Sequence, residues 1–585
     1  MRLLCYCDFN IGNSTLRFSN SVFLQALQKC KQYQTINAEA TEVQLIVIAA
    51  GRRGCTSFVL DFFASFFIKK KRREKESYIE KKPAIKNNST RCQSKTFTLY
   101  SYLKKIIPMF AINKIITTGI AIILLTPIAA LAQVKLPAFF SDGMVLQQQT
   151  NAAIWGWVKP SATLKVTTSW NKKTYTTNAD SKGKWSVKVA TPVAGGPYFI
   201  IVSDGEPVTI KNILIGEVWL CSGQSNMEMP MKGFMGQPVL NSNDAVFNST
   251  NNNIRLYTVP RSVQRAPQDT SKQSAWKPAA PEAVANFSAT AYYFGKLLYE
   301  QLHVPIGLVN ISYGGSPVEA FMDEQTLQAF PEIKIPAKTD TIKLNNKVAT
   351  VLYNGMLHPF LGYTIKGSIW YQGESNNDRP QQYETLFPAF VQQIRAQGEQ
   401  GNFPFYYCQI APYNYYNYAA VNAVNNNSAY LRDAQRKALA KIPNSGMAVL
   451  MDIGEEFNIH PMDKATGSKR LAYMALAKTY GQKGFAAESP TYDSVSFANG
   501  IATIKFINAP NGLSAFGKPL LQFEIAGANK IFRPAKAMVS GAVVTVSAPD
   551  VPAPVAVRYA FKDFVLGDLF STEGFPVSSF RTDDW

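Results

Sequence analysis

Apolar residues fill positions 213–220, broken only by Gly216-Glu217, and the run stops at Ser222-Gly223, where small residues permit a sharp turn. This predicts a buried strand with Ser225 just past its end. Four later apolar runs, 304–311, 365–371, 403–410 and 447–453, have helix-length segments between most of them. One such segment, 288–302, carries Ala291, Phe294, Leu297 and Leu298 at helical spacing behind a capping Ser288. Strands alternating with helices predict an α/β domain with a mostly parallel sheet flanked by helices. On either side the period changes to two. Trp185, Val187 and Val189 alternate with Ser186 and Lys188, and alternation returns beyond about 488. The expected organisation is a β-sandwich-like domain at 133–212, an α/β domain at 213–487 and a second β-domain at 488–585. The Asn-rich stretch 241–253 reads as a loop.

The first 132 residues read differently. A chain of 585 residues with a formal charge of +20 suggests nucleic acid or membrane until the charge is located. Residues 1–108 hold 19 Lys/Arg against 7 Asp/Glu and five of the seven cysteines, without a sustained strand or helix pattern. From Met109, Lys114 leads into an apolar run at 115–125, and Ala130-Leu131-Ala132 precedes Gln133. A basic start, an apolar middle and an Ala-x-Ala site make a secretory signal peptide, because the run is short for a bilayer span. Residues 1–108 then read as an upstream extension absent from a mature protein that begins at Gln133 and is secreted or periplasmic. What remains carries no charge excess that calls for nucleic acid, and no membrane anchor. Cys221 and Cys408 lie in strand-like runs and read as buried free thiols rather than a disulfide.

Polar clusters follow the strands at one common edge. Tyr313-Gly314-Gly315-Ser316 comes after 304–311, Gln372-Gly373-Glu374-Ser375-Asn376 after 365–371, and Asn458-Ile459-His460-Pro461 after 447–453. A serine, a backbone-exposing glycine, an asparagine donor and a histidine base are the parts acyl transfer needs. Three histidines allow elimination. His303 ends a helix, His358 precedes its strand by several residues and reads as structural, and His460 is the candidate base.

Gly223-Gln224-Ser225-Asn226-Met227, Tyr313-Gly314-Gly315, the run Trp370 to Asn376 and Ile459-His460-Pro461 resemble the blocks of the SGNH hydrolases. More closely they are similar to the sialate O-acetylesterase family and its acetylxylan esterase relatives, from about Val134 to Trp585. The resemblance implies an SGNH-hydrolase-like sheet and deacetylation of acetylated sugars, with O-acetylated sialic acids ahead of acetylxylan or other hemicellulose. It implies Ser225 as nucleophile, His460 as base, and an oxyanion hole from the Ser225 N–H, the Gly315 N–H and the Asn376 side chain. No metal or organic cofactor is implied. Met227 stands where an α/β-hydrolase elbow has its second glycine, which argues against a lipase-type fold.

One departure is chemical. Phe457 and Asn458 occupy the positions where these enzymes carry the acid that orients the histidine. Glu374 is favoured in its place, since acetylxylan esterase relatives use a glutamate in this block. Asp452 is the alternative acid and a bare Ser225–His460 dyad the third option. Gln224 and Gln372 are candidate substrate-binding residues. Arg432 and Lys464 read first as solvated charges and second as partners for a sialate carboxylate. Tyr406 and Tyr407 read as core, whereas Tyr413, Tyr415, Tyr416 and Tyr418 divide between core and sugar-stacking roles. Met227, Met229, Met231 and Met235 are expected to pack the helix after the nucleophile. A carbohydrate-binding surface protein with a degenerate esterase domain is the alternative of another class, and the missing acid is the feature that favours it.

Overall fold

The computed structural model describes residues 134–585 apart from 338, 341–342 and 416–427, and, before them, the backbone of four strands. Those four form two antiparallel hairpins, Cys7–Ile11 with Ser14–Phe18 and Ile46–Ala50 with Cys55–Val59, in a stretch where the sequence shows no sustained pattern. The signal-peptide reading of 109–132, the start at Gln133, and Tyr416 and Tyr418 lie outside the described residues. The described residues from 134 onward make one compact unit.

Its backbone is a single 17-residue strand, β1 (Pro207–Gly223). Residues 207–212 alternate in exposure, and from Ile213 onward every side chain is buried. The change in pattern marks a change of sheet. The first half pairs antiparallel with Gly195–Ser203, which pairs with Thr163–Thr168, which in turn pairs with Thr174–Asn178, and one face of that sheet meets solvent. The second half lies between parallel neighbours and is covered on both faces. The boundary expected at 212/213 therefore falls inside one continuous strand.

Five further strands complete the parallel sheet: β2 (Asn251–Thr258), β3 (Ile306–Ser312), β4 (Gly367–Tyr371), β5 (Phe405–Cys408) and β6 (Ser445–Ala448). Their spatial order is β2-β3-β1-β4-β5-β6, every neighbour parallel, with Lys277–Ala279 antiparallel at the β2 edge. Strand β2 corrects the loop reading of 241–253. That stretch holds a short helix, Ser242–Phe247, and the start of a strand whose buried part begins only at Ile254, so Asn251 to Asn253 conceal it. The last run is also shifted. Only Ser445–Ala448 pairs, and the apolar residues after it are buried as irregular chain.

Alternate side chains of β1 feed two cores. Trp219 and Cys221 pack on one face with Phe294 and Leu298 of α2 (Ala289–Leu302) and Leu471 of α5 (Lys464–Met474). Val218 and Leu220 share the other core with Phe387 and Phe390 of α3 (Pro380–Gly398) and Leu431 of α4 (Ser428–Ala438). The short helix α1 (Ser225–Glu228) follows β1 directly. As expected, Ser288 caps α2, accepting from the Ala291 N–H at 3.0 Å, and His303 ends it in a left-handed conformation. Cys221 and Cys408 are free and buried, on strands separated by β4. After 488 the chain forms two four-stranded antiparallel sheets and a two-stranded one. No helix among the described residues is long and apolar enough to cross a membrane.

Candidate active site

The chain leaves β1 for β2 and β3 on one side, then crosses to β4, β5 and β6 on the other, so strand order reverses at β1. In open parallel sheets the crevice beyond the strand ends at such a reversal is where ligands bind. Ser225 occupies that position. Gly223, the last residue of β1, has φ +149°, and a Cβ there would stand 2.1 Å from the Tyr371 carbonyl oxygen of β4. Only glycine lets the two strands stay paired up to the turn. Ser225 is partly buried, and among the described residues its Oγ makes no hydrogen bond. Gln224 fixes the turn to the next loop, its Oε1 accepting from the N–H groups of Ser375 at 3.1 Å and Gly373 at 3.4 Å.

Two other segments, the loop after β4 and the stretch from β6 into α5, meet this turn through Asn226. Its Nδ2 donates to Glu374 Oε1 at 2.5 Å and to the Ile459 carbonyl at 3.1 Å, and its Oδ1 accepts from Lys464 Nζ at 2.5 Å. The neighbours of Ser225 and His460 in sequence are thus hydrogen-bonded to each other. Burial raises the Glu374 pKa, an effect that the Asn226 hydrogen bond and the Lys464 charge oppose. Burial draws Lys464 down to about 7 against the attraction of Glu374. These two groups brace the amide between them, and neither reaches the histidine ring.

The ring is held from elsewhere. His460 Nδ1 lies 2.7 Å from Oε1 of Gln237, and Phe234 meets the ring edge-on at 5.3 Å between centroids. Both come from a tight turn after α1 in which Phe234 and Gln237 exchange backbone hydrogen bonds. Gly233, at φ +79°, admits no Cβ, which would sit 2.4 Å from the Gln237 carbonyl. An amide oxygen only accepts, so Nδ1 carries the proton and Nε2 keeps its lone pair. Burial, and secondarily the Lys464 charge, pulls the imidazole from 6.5 down to about 4.

Among the described residues neither candidate acid hydrogen-bonds the ring. Glu374 bonds Asn226, and Asp452 is forked by Arg470 at 2.7 and 2.6 Å. Asn458, two residues before the histidine, accepts the His460 backbone N–H at 3.1 Å and so shapes the loop rather than the ring. Gln237 escaped the sequence reading because only carboxylates were considered. Its one signal is a polar acceptor closing the glycine-punctuated stretch Gly233 to Gln237.

The oxyanion candidates converge on the same edge. A Cβ on Gly314 would lie 3.2 Å from Ser225 Cβ, so the β3 loop presses directly against the Ser225 turn. Gly315, at φ +73°, follows, with an N–H that makes no hydrogen bond among the described residues. Asn376 is buried. Its Oδ1 accepts from Val318 N–H and Gln372 Nε2, and its Nδ2 donates to Glu319 at 2.9 Å, leaving one N–H unspent.

Other candidates are placed away from substrate. Gln372 is fully buried, with its side chain bonded to Ser316, Asn376 and Tyr383. Arg432 is 0% exposed and ties α4 to the closing segment through the Lys562 and Asp563 carbonyls and the Ser579 hydroxyl, with a further bond to the Ser428 hydroxyl within α4. Both side chains are buried and turned to partners inside the protein. Lys464, likewise buried, is not a solvated charge. Tyr406, Tyr407, Tyr413 and Tyr415 are core. Met227, Met229 and Met231 are buried, whereas Met235, at the tip of the Gln237 turn, is 100% exposed. His358 bonds the Gln268 carbonyl in a structural position.

A family model described as carbohydrate esterase, sialic acid-specific acetylesterase, matches residues 215–465, which contain Ser225, Gln237, Gly315, Asn376 and His460. Human sialate O-acetylesterase is 30% identical over 398 residues, covering 62% of this chain and 74% of the human one. The mouse enzyme of that name is 28% identical over 448 residues, 66% and 82% of the two chains. The chain belongs to the sialate O-acetylesterase family. In structure it resembles a carbohydrate acetylesterase from Xanthomonas citri, at 35% identity and a TM-score of 0.70 over 77% of this chain and 100% of that one. Membership makes it a carbohydrate acetylesterase, a carboxylic ester hydrolase.

Proposed function

We propose that this chain is an exported serine esterase that removes O-acetyl groups from sugars, O-acetylated sialic acids foremost, through an acetyl-enzyme. The observation that carries the mechanism is the His460–Gln237 contact, which leaves Nε2 as a free base in the loop bonded to the nucleophile turn. Ser225 Oγ attacks the ester carbonyl while Nε2 takes its proton. The tetrahedral oxyanion is held by the Ser225 and Gly315 N–H groups and the unspent N–H of Asn376, and it collapses to acetyl-serine as His460 protonates the departing sugar oxygen. Water then repeats the sequence and frees acetate. The sheet and its loops fit the SGNH pattern, with a neutral amide doing the orienting work of the usual acid. Export rests on Ala130-Leu131-Ala132.

The preference for sialate rests on family alone, and hemicellulose is the second reading. Initial rates on 9-O-acetyl sialic acid and acetylxylan at equal ester concentration test it, with the sialate expected to be faster. Equal or faster release from xylan reverses the assignment.

The amide acceptor makes a second expectation. A carboxylate in its place would stabilise the imidazolium and raise the histidine pKa. Gln237→Glu should therefore lose activity below about pH 6 while keeping it at pH 8, and Gln237→Ala should lower kcat about 10-fold or more at every pH, because the tautomer is no longer fixed. An unchanged profile in both variants would remove Gln237 from the mechanism.

A further inference from the structure

Gly314 is gripped through both of its backbone polar groups, its N–H in the peptide before it and its carbonyl in the peptide it shares with Gly315. Glu228, one helical turn after Ser225, accepts the Gly314 N–H at 2.7 Å through Oε2. Asn346 Nδ2 donates to the Gly314 carbonyl at 2.7 Å and to Ser316 Oγ at 3.1 Å. In a planar trans peptide the carbonyl of one residue and the N–H of the next point in opposite directions. With the Gly314 oxygen drawn to Asn346, the unspent Gly315 N–H is turned to the other side of the plane. Gly315 itself sits at φ +73°, in the region where glycine has the most conformational freedom, so nothing in its own backbone fixes that direction.

Glu228 is held in turn. Arg261 forks it, Nε to Oε1 and Nη2 to Oε2 at 2.6 Å each, and the guanidinium lies 4.4 Å over the Tyr313 ring. Tyr313 immediately precedes Gly314, so Arg261 clamps the loop both through the carboxylate and through the ring. A bidentate fork fixes carboxylate orientation as well as charge. Here the carboxylate is 15% exposed and the arginine 54%, so the pair alone is worth little stability, which argues for a role in geometry. The opposite wall repeats the arrangement. Glu319 takes the Asn376 amide N–H and is itself paired with Arg379 at 2.8 Å.

We propose that Glu228, backed by Arg261, and Asn346 are positioning residues that aim the Gly315 N–H at the oxyanion of the tetrahedral intermediate. The proposal rests on Ser225 as nucleophile and Gly315 as an oxyanion donor. Loss of a single oxyanion donor costs roughly 10^2 to 10^3 in rate, and a misaimed donor costs part of that. Glu228→Ala and Asn346→Ala should each lower kcat about 10- to 100-fold with KM within about threefold, since the donor acts on the intermediate more than on bound ester. Reversible inhibition by methylboronic acid, which forms a tetrahedral adduct on serine, should weaken by the same factor as kcat falls. Glu228→Gln keeps an oxygen for the Gly314 N–H and should recover most of the loss.

The measurements are kcat, KM and boronate inhibition for the three variants, each with a circular-dichroism melt. A folded Glu228→Ala and a folded Asn346→Ala that both keep kcat within twofold overturn the proposal, as does a loss confined to KM or a Glu228→Gln no better than Glu228→Ala. If Glu228→Ala does not fold, Asn346→Ala decides alone. An active Ser225→Ala would instead overturn the underlying reading, so the two failures are distinguishable.

Discussion

Replacing Ser225 by alanine is expected to reduce acetate release by about 10^4-fold or more without lowering the melting temperature. Two observations support the combination. The hydroxyl makes no hydrogen bond among the described residues, so its removal strands no buried partner. The turn is held by groups that survive the change: Gly223 against Tyr371, Gln224 on the Ser375 N–H, and Asn226 in its three hydrogen bonds. Turnover of a chromogenic acetyl ester and a thermal melt on the same preparation provide the check. A folded variant that still releases acetate at a comparable rate would assign the nucleophile elsewhere.

His460→Ala should match that loss. A Ser225→Ala/His460→Ala double variant should be no worse than either single one, because the two groups act as a unit. His358→Ala should leave turnover unchanged, its ring being engaged with the Gln268 carbonyl. The pH dependence carries the sharper information. The base works only when neutral, and burial holds the imidazole at about 4 rather than 6.5. The acid limb of kcat/KM is therefore expected near pH 4, with activity level through pH 5 to 6 where an ordinary histidine would already be failing. An acid limb near 6.5 would mean that the ring is solvated. Stability follows the same linkage. The unfolded chain takes up the proton first as pH falls below about 6.5, so the contribution of neutral His460 is lost from there down to about 4.

What was legible is placement. The apolar runs and their terminal clusters put Ser225, the glycine pair and His460 at one edge, because a parallel sheet brings successive carboxyl ends together whatever the lengths between. Side-chain direction was not legible. Gln372 and Glu374 share a loop with Asn376, yet Gln372 turns into the core and Glu374 toward Asn226, and nothing in their spacing distinguishes these outcomes. Arg432 failed for a different reason: its partners are backbone carbonyls about 130 residues away, which no local pattern announces. Gln237 failed because an amide is a weaker signal than a carboxylate, although for fixing a tautomer it suffices. Strand β2 was hidden by asparagines whose polarity belongs to the sheet's exposed entrance.

The unbroken run of β1 has a practical meaning for anyone shortening this protein. A cut at 213 would sever a ladder in mid-strand, leaving Ile213 to Gly216 without the antiparallel partners at Gly195 and Tyr198 and the segment at Val145 to Gln147. The residues that lead into Ser225 would then begin at a frayed end. The smallest catalytic fragment must therefore carry the antiparallel sheet with it, and a graft of the esterase onto another scaffold would have to start before Val145 rather than at the first residue of the matched family region.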